Sequence, residues 1–184
     1  LQTPPVYDSA NAPVLYDEKG RELVLALKYG GMLSAVPVMA RMMSRELDVV
    51  SGSGAEDEIG FDVIMPVPLH WSRLLKRRFN QSQVLARDIG RITGRPVDAY
   101  TLKRAKATPS QGTLGREKRF ANVSNAFMVP ENKQSHIKGK SILLVDDVLT
   151  TGATVSACAA TLKDAGAQYV HVVVFARVGE PVAA

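Results

Sequence analysis

One run of residues limits the possible fold more than any other. It reads Ile142-Leu143-Leu144-Val145, then Asp146-Asp147, then Val148-Leu149-Thr150-Thr151-Gly152-Ala153-Thr154, then a helix rich in small residues. A short aliphatic run ended by charge and followed by a helical pattern is a buried strand of a parallel sheet. In such sheets ligands gather beyond the carboxyl ends of the strands. Two adjacent carboxylates at that edge accept hydrogen bonds from sugar hydroxyls, and they suit the neighbourhood of a hard, oxygen-loving cation such as Mg²⁺. Thr hydroxyls and successive backbone N–H groups at a helix N-terminus form a nest for an anion. Gly152 lets the backbone come close to that anion. The composite is a ribose-plus-phosphate site. An acidic turn followed by an ordinary helix cap would use some of the same residues, but the length and order of the run argue against it. No G-x-x-x-x-G-K-[ST] loop occurs in the chain.

The remaining pattern supplies a scaffold for that strand. Residues 1–16 read as an irregular arm, with Pro4, Pro5 and Pro13. Asp17 caps a helix to about Lys28, with Leu23 and Leu27 on one face. A second helix, Ser34 to Leu47, carries Val36, Met39, Ala40, Met43 and Leu47 as an apolar stripe. An acidic loop, Ser51 to Glu58, leads to a strand Phe61 to Met65, ended by Pro66 and Pro68. Asn80 caps a helix from Gln81 to Thr93, with Leu85, Ile89 and Ile92 on one face and Gly94 as its stop. Tyr100 to Arg104 fits a strand, and residues 106–122 a basic loop or hairpin. After Ser141–Val145 and a helix Thr154–Ala165, Tyr169 to Phe175 is a strand of the type buried on both faces. Strands alternating with helices predict an α/β domain with a mainly parallel central sheet flanked by helices. The expected organisation is an arm (1–16), a helical hood with the acidic loop (17–60), a core (61–178) and a tail (179–184).

Charge sharpens the reading. The net charge of +5 over 184 residues is unevenly spread. Residues 1–72 hold 5 Lys/Arg against 10 Asp/Glu, residues 73–140 hold 16 against 4, and residues 141–184 hold 2 against 4. The basic middle suits a polyanionic partner, either nucleic acid or a multiply phosphorylated small molecule, or else a solvated face. A single cysteine, Cys158, excludes an intramolecular disulfide and a cysteine zinc cluster. A reducing, cytoplasmic compartment is the expectation. No apolar run approaches the ~20 residues that span a bilayer, so no membrane insertion is expected. The start, Leu1 to Pro5, has neither the basic nor the apolar region of a signal peptide and lacks an initiator Met, which fits a sequence beginning inside a longer chain.

The segment Ile142–Thr154 resembles the PRPP-binding motif of type I phosphoribosyltransferases. The wider pattern resembles one branch of that fold, the ComF family of competence-associated proteins. The matching parts are Leu23–Tyr29, Pro66-Val67-Pro68-Leu69, the Arg73–Gln81 stretch with its Phe-Asn-Gln end, Thr108-Pro109-x-Gln111, Leu114, Arg119-x-x-Asn122 and Ala126-Phe127. They span most of residues 17–178. Two features depart from the family: it usually opens with a cysteine-rich zinc module, and it tends to have Gly where this chain has Arg78 before Phe-Asn-Gln.

The resemblance implies a type I phosphoribosyltransferase-like fold and Mg²⁺-dependent transfer of phosphoribosyl from PRPP to a nitrogen acceptor. Asp146 and Asp147 would bind the ribose hydroxyls as the catalytic pair, near Mg²⁺ but touching it mostly through ligand. Thr150, Thr151, Gly152, Ala153 and Thr154 would hold the 5-phosphate. Pro68, Leu69 and His70 would form the pyrophosphate loop, and Lys106, Gln111, Arg116 and Arg119 would belong to a mobile basic loop that closes over the ligand. The hood, residues 17–47, would meet the acceptor. A role in DNA uptake, through PRPP sensing or single-stranded DNA binding, is the alternative. There Arg73, Lys76, Arg77 and Arg78, flanked by Trp71 and Phe79, would track the phosphate backbone. The same residues suit a helix packed on one face and wet on the other. A homodimer is expected from the fold class by analogy.

The remaining candidates have plainer roles. His70 fits a phosphate contact or a surface position equally. His136 lies among polar residues, and His171 sits in the last strand as a packed or paired residue. Three separate segments do not make a histidine metal cluster. Cys158, on a small-residue helix, reads as a buried apolar group.

Overall fold

The computed structural model of the chain describes residues 5–29, 32–51, 60–105 and 125–179. Its elements are β1 (Ser9–Asn11), β2 (Val14–Leu15), α1 (Glu18–Tyr29), α2 (Val36–Ser51), β3 (Val63–Pro66), α3 (Trp71–Arg77), α4 (Gln81–Thr93), β4 (Lys103–Arg104), β5 (Phe127–Met128), β6 (Ser141–Leu149), α5 (Ala153–Asp164) and β7 (Tyr169–Arg177). Short 3₁₀ turns at Leu33–Ala35 and Glu131–His136 precede α2 and β6.

The central sheet runs β1-β7-β6-β3, with β2 also on β7, and every pairing is parallel. Val97 adds a parallel bridge to Ile64 on the outer side of β3. β4 and β5 form a separate antiparallel pair. The fold is therefore α/β with a mainly parallel sheet.

Alternation along β6 and β7 divides the interior into two cores. Ile142, Leu144, Val170, Val172 and Val174 face α5 and pack with Val155, Cys158, Ala159 and Leu162. Leu143, Val145, Val173 and Phe175 face the other way and pack with α1, α2 and α4 through Val24, Leu27, Met39, Met43, Leu85 and Ile89. A strand buried on both faces has no polar alternation, which is why these runs read as continuous apolar segments. Ile142, Leu143, Leu144 and Val145 are all fully buried, and each such side chain contributes about 1.5–3 kcal/mol. Small residues on α5 let it lie close to the sheet. Cys158 is one of them, and burial, together with the nearby Asp146 charge, pushes its thiol pKa up.

Local signals in the sequence match these elements closely in places. The Asn80 side chain accepts from the Ser82 N–H, α4 ends at Thr93, and Gly94 follows in the left-handed conformation. Asp17 accepts from the Gly20 N–H at the start of α1. The five apolar residues expected along α2 are all buried.

Five expectations are corrected. The arm is not wholly irregular: β1 and β2 pair with β7, a long-range register (Ser9 with His171, Leu15 with Arg177) that no local signal announces. On α1 the buried pair is Val24 and Leu27, while Leu23 is exposed. Ile92 is likewise exposed, although Ile89 one turn earlier is buried. Tyr100–Arg104 contributes a strand only at Lys103–Arg104; Tyr100 and Thr101 lie in a turn held by the Asp98 carboxylate. β6 does not stop at Val145. It continues through both aspartates to Leu149, because β7 remains beside it as a partner as far as Arg177.

Candidate functional site

The connections on either side of β3 and β6 diverge. β3 leads through α4, on the α1/α2 face, outward to Val97. β6 leads through α5, on the opposite face, to β7. A crevice opens between two such strands at their carboxyl ends, the usual ligand position in an open α/β sheet. Pro66, at the end of β3, is level with Val145, so the next residue of β6, Asp146, stands at that mouth.

Asp146 and Asp147 are both buried. Asp146 Oδ1 accepts from Ser82 Oγ at 2.8 Å and from the Asp147 N–H at 2.9 Å. Asp147 Oδ2 lies 2.9 Å from the Lys28 ammonium. Burial, reinforced by the Asp147 charge, pushes the Asp146 carboxyl up to about 7, against the pull of Lys28 and the two hydrogen bonds. The pair is thus held, but at an electrostatic cost.

The turn after β6 adds the second half. Gly152 adopts φ +77° and caps α5 without a side-chain hydrogen bond to the helix. That conformation is one an L-residue rarely takes. The first N–H groups of a helix have no intrahelical partner, and the amino end of α5 turns the positive end of its dipole toward this turn. Thr151 Oγ1 is buried with no hydrogen-bond partner among the described residues. An open pocket joins this turn to Asp146, lined also by Val148, Leu149, Thr150, Ala153, Thr154 and Val155. The amino end of α5, Thr150, Thr154 and the buried Asp146 carboxylate around one space, with Thr151 in the same turn, suit a phosphorylated sugar.

Of the residues singled out in the sequence, the structure brings together Asp146, Thr150, Gly152, Ala153 and Thr154, with Thr151 in the same turn and Asp147 behind Asp146. Pro68 and Leu69 continue from β3, whose end is tied to β6 by the Val67 N–H donating to Val145. His70 is buried rather than on the surface. Its Nδ1 accepts from the Ser72 N–H and lies 2.8 Å from Ser72 Oγ, which makes it the cap of α3. Lys106, Gln111, Arg116 and Arg119 lie outside the described residues, as do the side chains of Arg73 and Lys76. Arg77 and Arg78 end α3, and Arg78 takes φ +65°. A glycine at this position would be unstrained, whereas the arginine takes a left-handed backbone that costs an L-residue. His136 is exposed, with Nδ1 3.8 Å from Asp98. His171 pairs with Ser9 Oγ at 2.9 Å, at the far end of the sheet.

Three contributors were not identified from sequence. Ser82 sits one residue beyond the Phe-Asn-Gln run, and Asn80 links it to the β3 loop by donating to the Val67 carbonyl. Lys28 lies inside the Leu23–Tyr29 block, whose match gave no role. Tyr7 comes from the arm: a Cβ at Gly152 would stand 3.6 Å from its hydroxyl, and burial pushes the phenol's pKa up.

The donor set can be tested against Mg²⁺. Two adjacent carboxylates are present, and no group of three or more His, Cys, Asp or Glu stands together among the described residues. That set cannot cage the ion. It does fit the usual manner of Mg²⁺, which keeps waters and takes its other ligands from substrate phosphates.

Comparison with known proteins places the chain. The phosphoribosyl transferase domain family matches residues 96–183. The DNA utilization protein YhgH of Salmonella typhi is 31% identical over 175 residues, covering 94% of this chain and 73% of that protein. Competence protein F of Haemophilus influenzae is 33% identical over 111 residues, 60% of this chain and 48% of that protein. Among solved structures, the glutamine PRPP amidotransferase of B. subtilis aligns at 20% identity with a TM-score of 0.48, over 77% of this chain and 26% of that one. No helix among the described residues is long and apolar enough to cross a membrane. With YhgH matched along 94% of this chain, the chain belongs to the ComF family of competence-associated proteins and carries a phosphoribosyltransferase domain.

Proposed function

We propose that the chain binds PRPP and transfers its phosphoribosyl group to a nitrogen acceptor with Mg²⁺ present. The observation that supports this most is that Asp146 and residues of the turn from Thr150 to Thr154 line the same pocket. The carboxylates accept the ribose hydroxyls, while the α5 N–H groups and Thr151 Oγ1 take the 5-phosphate. The diphosphate then points toward the Pro68–His70 loop. As the bond from the anomeric carbon to pyrophosphate breaks, positive charge grows on the sugar ring and negative charge on the leaving group; the acceptor nitrogen forms the new bond to the same carbon. The buried acidic pair lies on the side of the sugar where positive charge is favoured. Mg²⁺, bound mainly through the diphosphate, would supply neutralisation of the leaving group. Lys106, Arg116 and Arg119 are the cations assigned to closure over the ligand and exclusion of water.

Calorimetric titration of PRPP with and without Mg²⁺ tests the reading. Saturable, Mg²⁺-dependent binding is expected, followed by pyrophosphate release once an acceptor is found. A folded protein that takes up no PRPP under either condition would refute it.

A second reading is favoured by α3. Trp71 is 66% exposed and Leu75 72% exposed, beside the exposed Arg78. An aromatic face next to cations suits the stacking of single-stranded bases, and the relatives named for DNA utilization and competence are consistent with such a role. Under this reading, Trp71→Ala weakens binding of a labelled oligonucleotide, binding falls steeply with salt, and it survives Asp146→Ala. Oligonucleotide binding unaffected by Trp71→Ala and insensitive to salt would remove α3 from consideration.

A further inference from the structure

The acidic pair carries its own cation. Lys28 reaches it from α1, on the face of the sheet opposite α5, and its ammonium stands 2.9 Å from Asp147 Oδ2 with 20% and 5% of the two side chains exposed. Asp146 Oδ1 is meanwhile occupied by Ser82 Oγ and the Asp147 N–H. Protein groups therefore hold one oxygen of each carboxylate. A Mg²⁺ ion needs about six oxygens in near-octahedral order and gives up water reluctantly. No third acidic or histidine ligand joins the pair among the described residues. Lys28 also lowers the formal charge of the pair from −2 to −1 and repels any cation placed beside it, an effect that the burial of both side chains leaves weakly screened.

From this geometry we infer that Lys28 is a positioning residue that also selects how metal enters. It fixes Asp147 and denies the acidic pair to free divalent cations, so that metal arrives only together with a diphosphate. The diphosphate supplies both the missing oxygens and the negative charge that outweighs the Lys28 repulsion. The half concerning diphosphate rests on the PRPP reading of the site. The half concerning free metal does not.

The test is binding of Mg²⁺ alone to the full chain by calorimetry, with Mn²⁺ followed by electron paramagnetic resonance as a second probe. Wild type and Lys28→Arg are expected to show no saturable uptake at millimolar metal. Lys28→Met, which keeps the stem and removes the charge, should gain affinity for the free ion by at least about tenfold. Lys28→Gln keeps a donor toward Asp147 without the charge and serves the same purpose if the Met variant unfolds. In PRPP titrations the neutral variants should reach half-saturation at correspondingly lower Mg²⁺, whereas a purely structural lysine would change the melting temperature and leave metal dependence alone. Unchanged affinity for free metal in the folded neutral variants overturns the inference, as does tight uptake of bare Mg²⁺ by wild type. A wild type that ignores PRPP while Lys28→Met still gains free-metal binding would sink the PRPP reading and leave the Lys28 assignment standing.

Discussion

At the amino-terminal edge of the sheet, Asp8 accepts from the Val170 N–H at 2.7 Å and pairs with Lys163 at 2.8 Å, and Asp62 accepts from the Ser141 N–H at 2.8 Å. At the carboxyl edge, Asp146 and Asp147 share a buried space with one lysine, and Thr151 Oγ1 is left without a partner among the described residues. The consequences run in opposite directions. For Asp8, burial acts upward but is outweighed by Lys163 and the Val170 N–H, and its pKa falls below the ordinary value. For Asp146, burial and the Asp147 charge prevail, and its pKa rises to about 7. The same residue type stabilises one end of the strands and burdens the other. Ligand sites are commonly built this way, since the groups that would satisfy the protein are kept for the ligand.

The comparison breaks first if the acidic pair is removed. Asp146→Ala/Asp147→Ala should lower PRPP affinity by about a hundredfold or more, given about 1.5–3 kcal/mol for each hydrogen bond to a charged group. Calorimetry reads this directly, and normal binding by the double variant would end the ribose assignment.

The next effect concerns the free protein and has a definite sign in pH. Because the folded carboxyl of Asp146 titrates near 7, above its unfolded value near 3.9, the folded chain holds more protons between those limits. Stability from this group is therefore full at low pH, declines as pH rises through the window, and is level above it. The groups facing it are Asp147 and Lys28, with Cys158 on the α5 side. Asp146→Asn keeps an oxygen for Ser82 and removes the charge. In metal-free buffer at about pH 8 it should be more stable than wild type, by on the order of 2 kcal/mol, and the advantage should vanish near pH 4. Denaturant midpoints at both pH values decide it; an asparagine variant no more stable than wild type under the alkaline condition means the burden is not there.

At the opposite edge the sign reverses. Asp8→Ala should cost about 1 kcal/mol by leaving the Val170 N–H unpaired, with no change in PRPP binding. The wild-type contribution is present above the ordinary carboxylate pKa and fades as pH falls below it. Faster hydrogen exchange at Val170 is the local readout, and slow exchange retained in the variant would show that β1 does not depend on this carboxylate.

The smallest effect sharpens the picture of strain near the site. Arg78→Gly relieves a left-handed arginine, and the gain is reduced by the freer unfolded chain. A net rise of about 0.5–1 kcal/mol in thermal unfolding is expected. A loss instead would mean that the arginine side chain holds the turn more firmly than its backbone strains it.

Much of this was legible in the residues because the signals are local. A cap such as Asn80 acts on an N–H two residues away, and Gly94 ends α4 by its own conformational freedom. The aliphatic run into Asp146-Asp147 and the Thr-Gly turn also lie within one strand–turn–helix unit. Where periodicity failed, the cause was distance. Leu23 and Ile92 fit the apolar periodicity but stand exposed, since periodicity along one helix does not say which side its neighbours cover. The residues of the arm lack a strand signal of their own and become strand only because β7 offers an open edge.

Read along the chain, the residues alone located the candidate chemistry: which strand carries the carboxylates, which turn is proposed to hold a phosphate, and where the basic charge lies. Contiguous residues and backbone geometry suffice for that. How those groups are poised came from distant segments folded onto them. The fold set Ser82 on Asp146, Lys28 on Asp147 and Tyr7 beside Gly152. These partners come from three other segments, and a carboxylate's charge state depends on what the fold packs around it rather than on its neighbours in the chain.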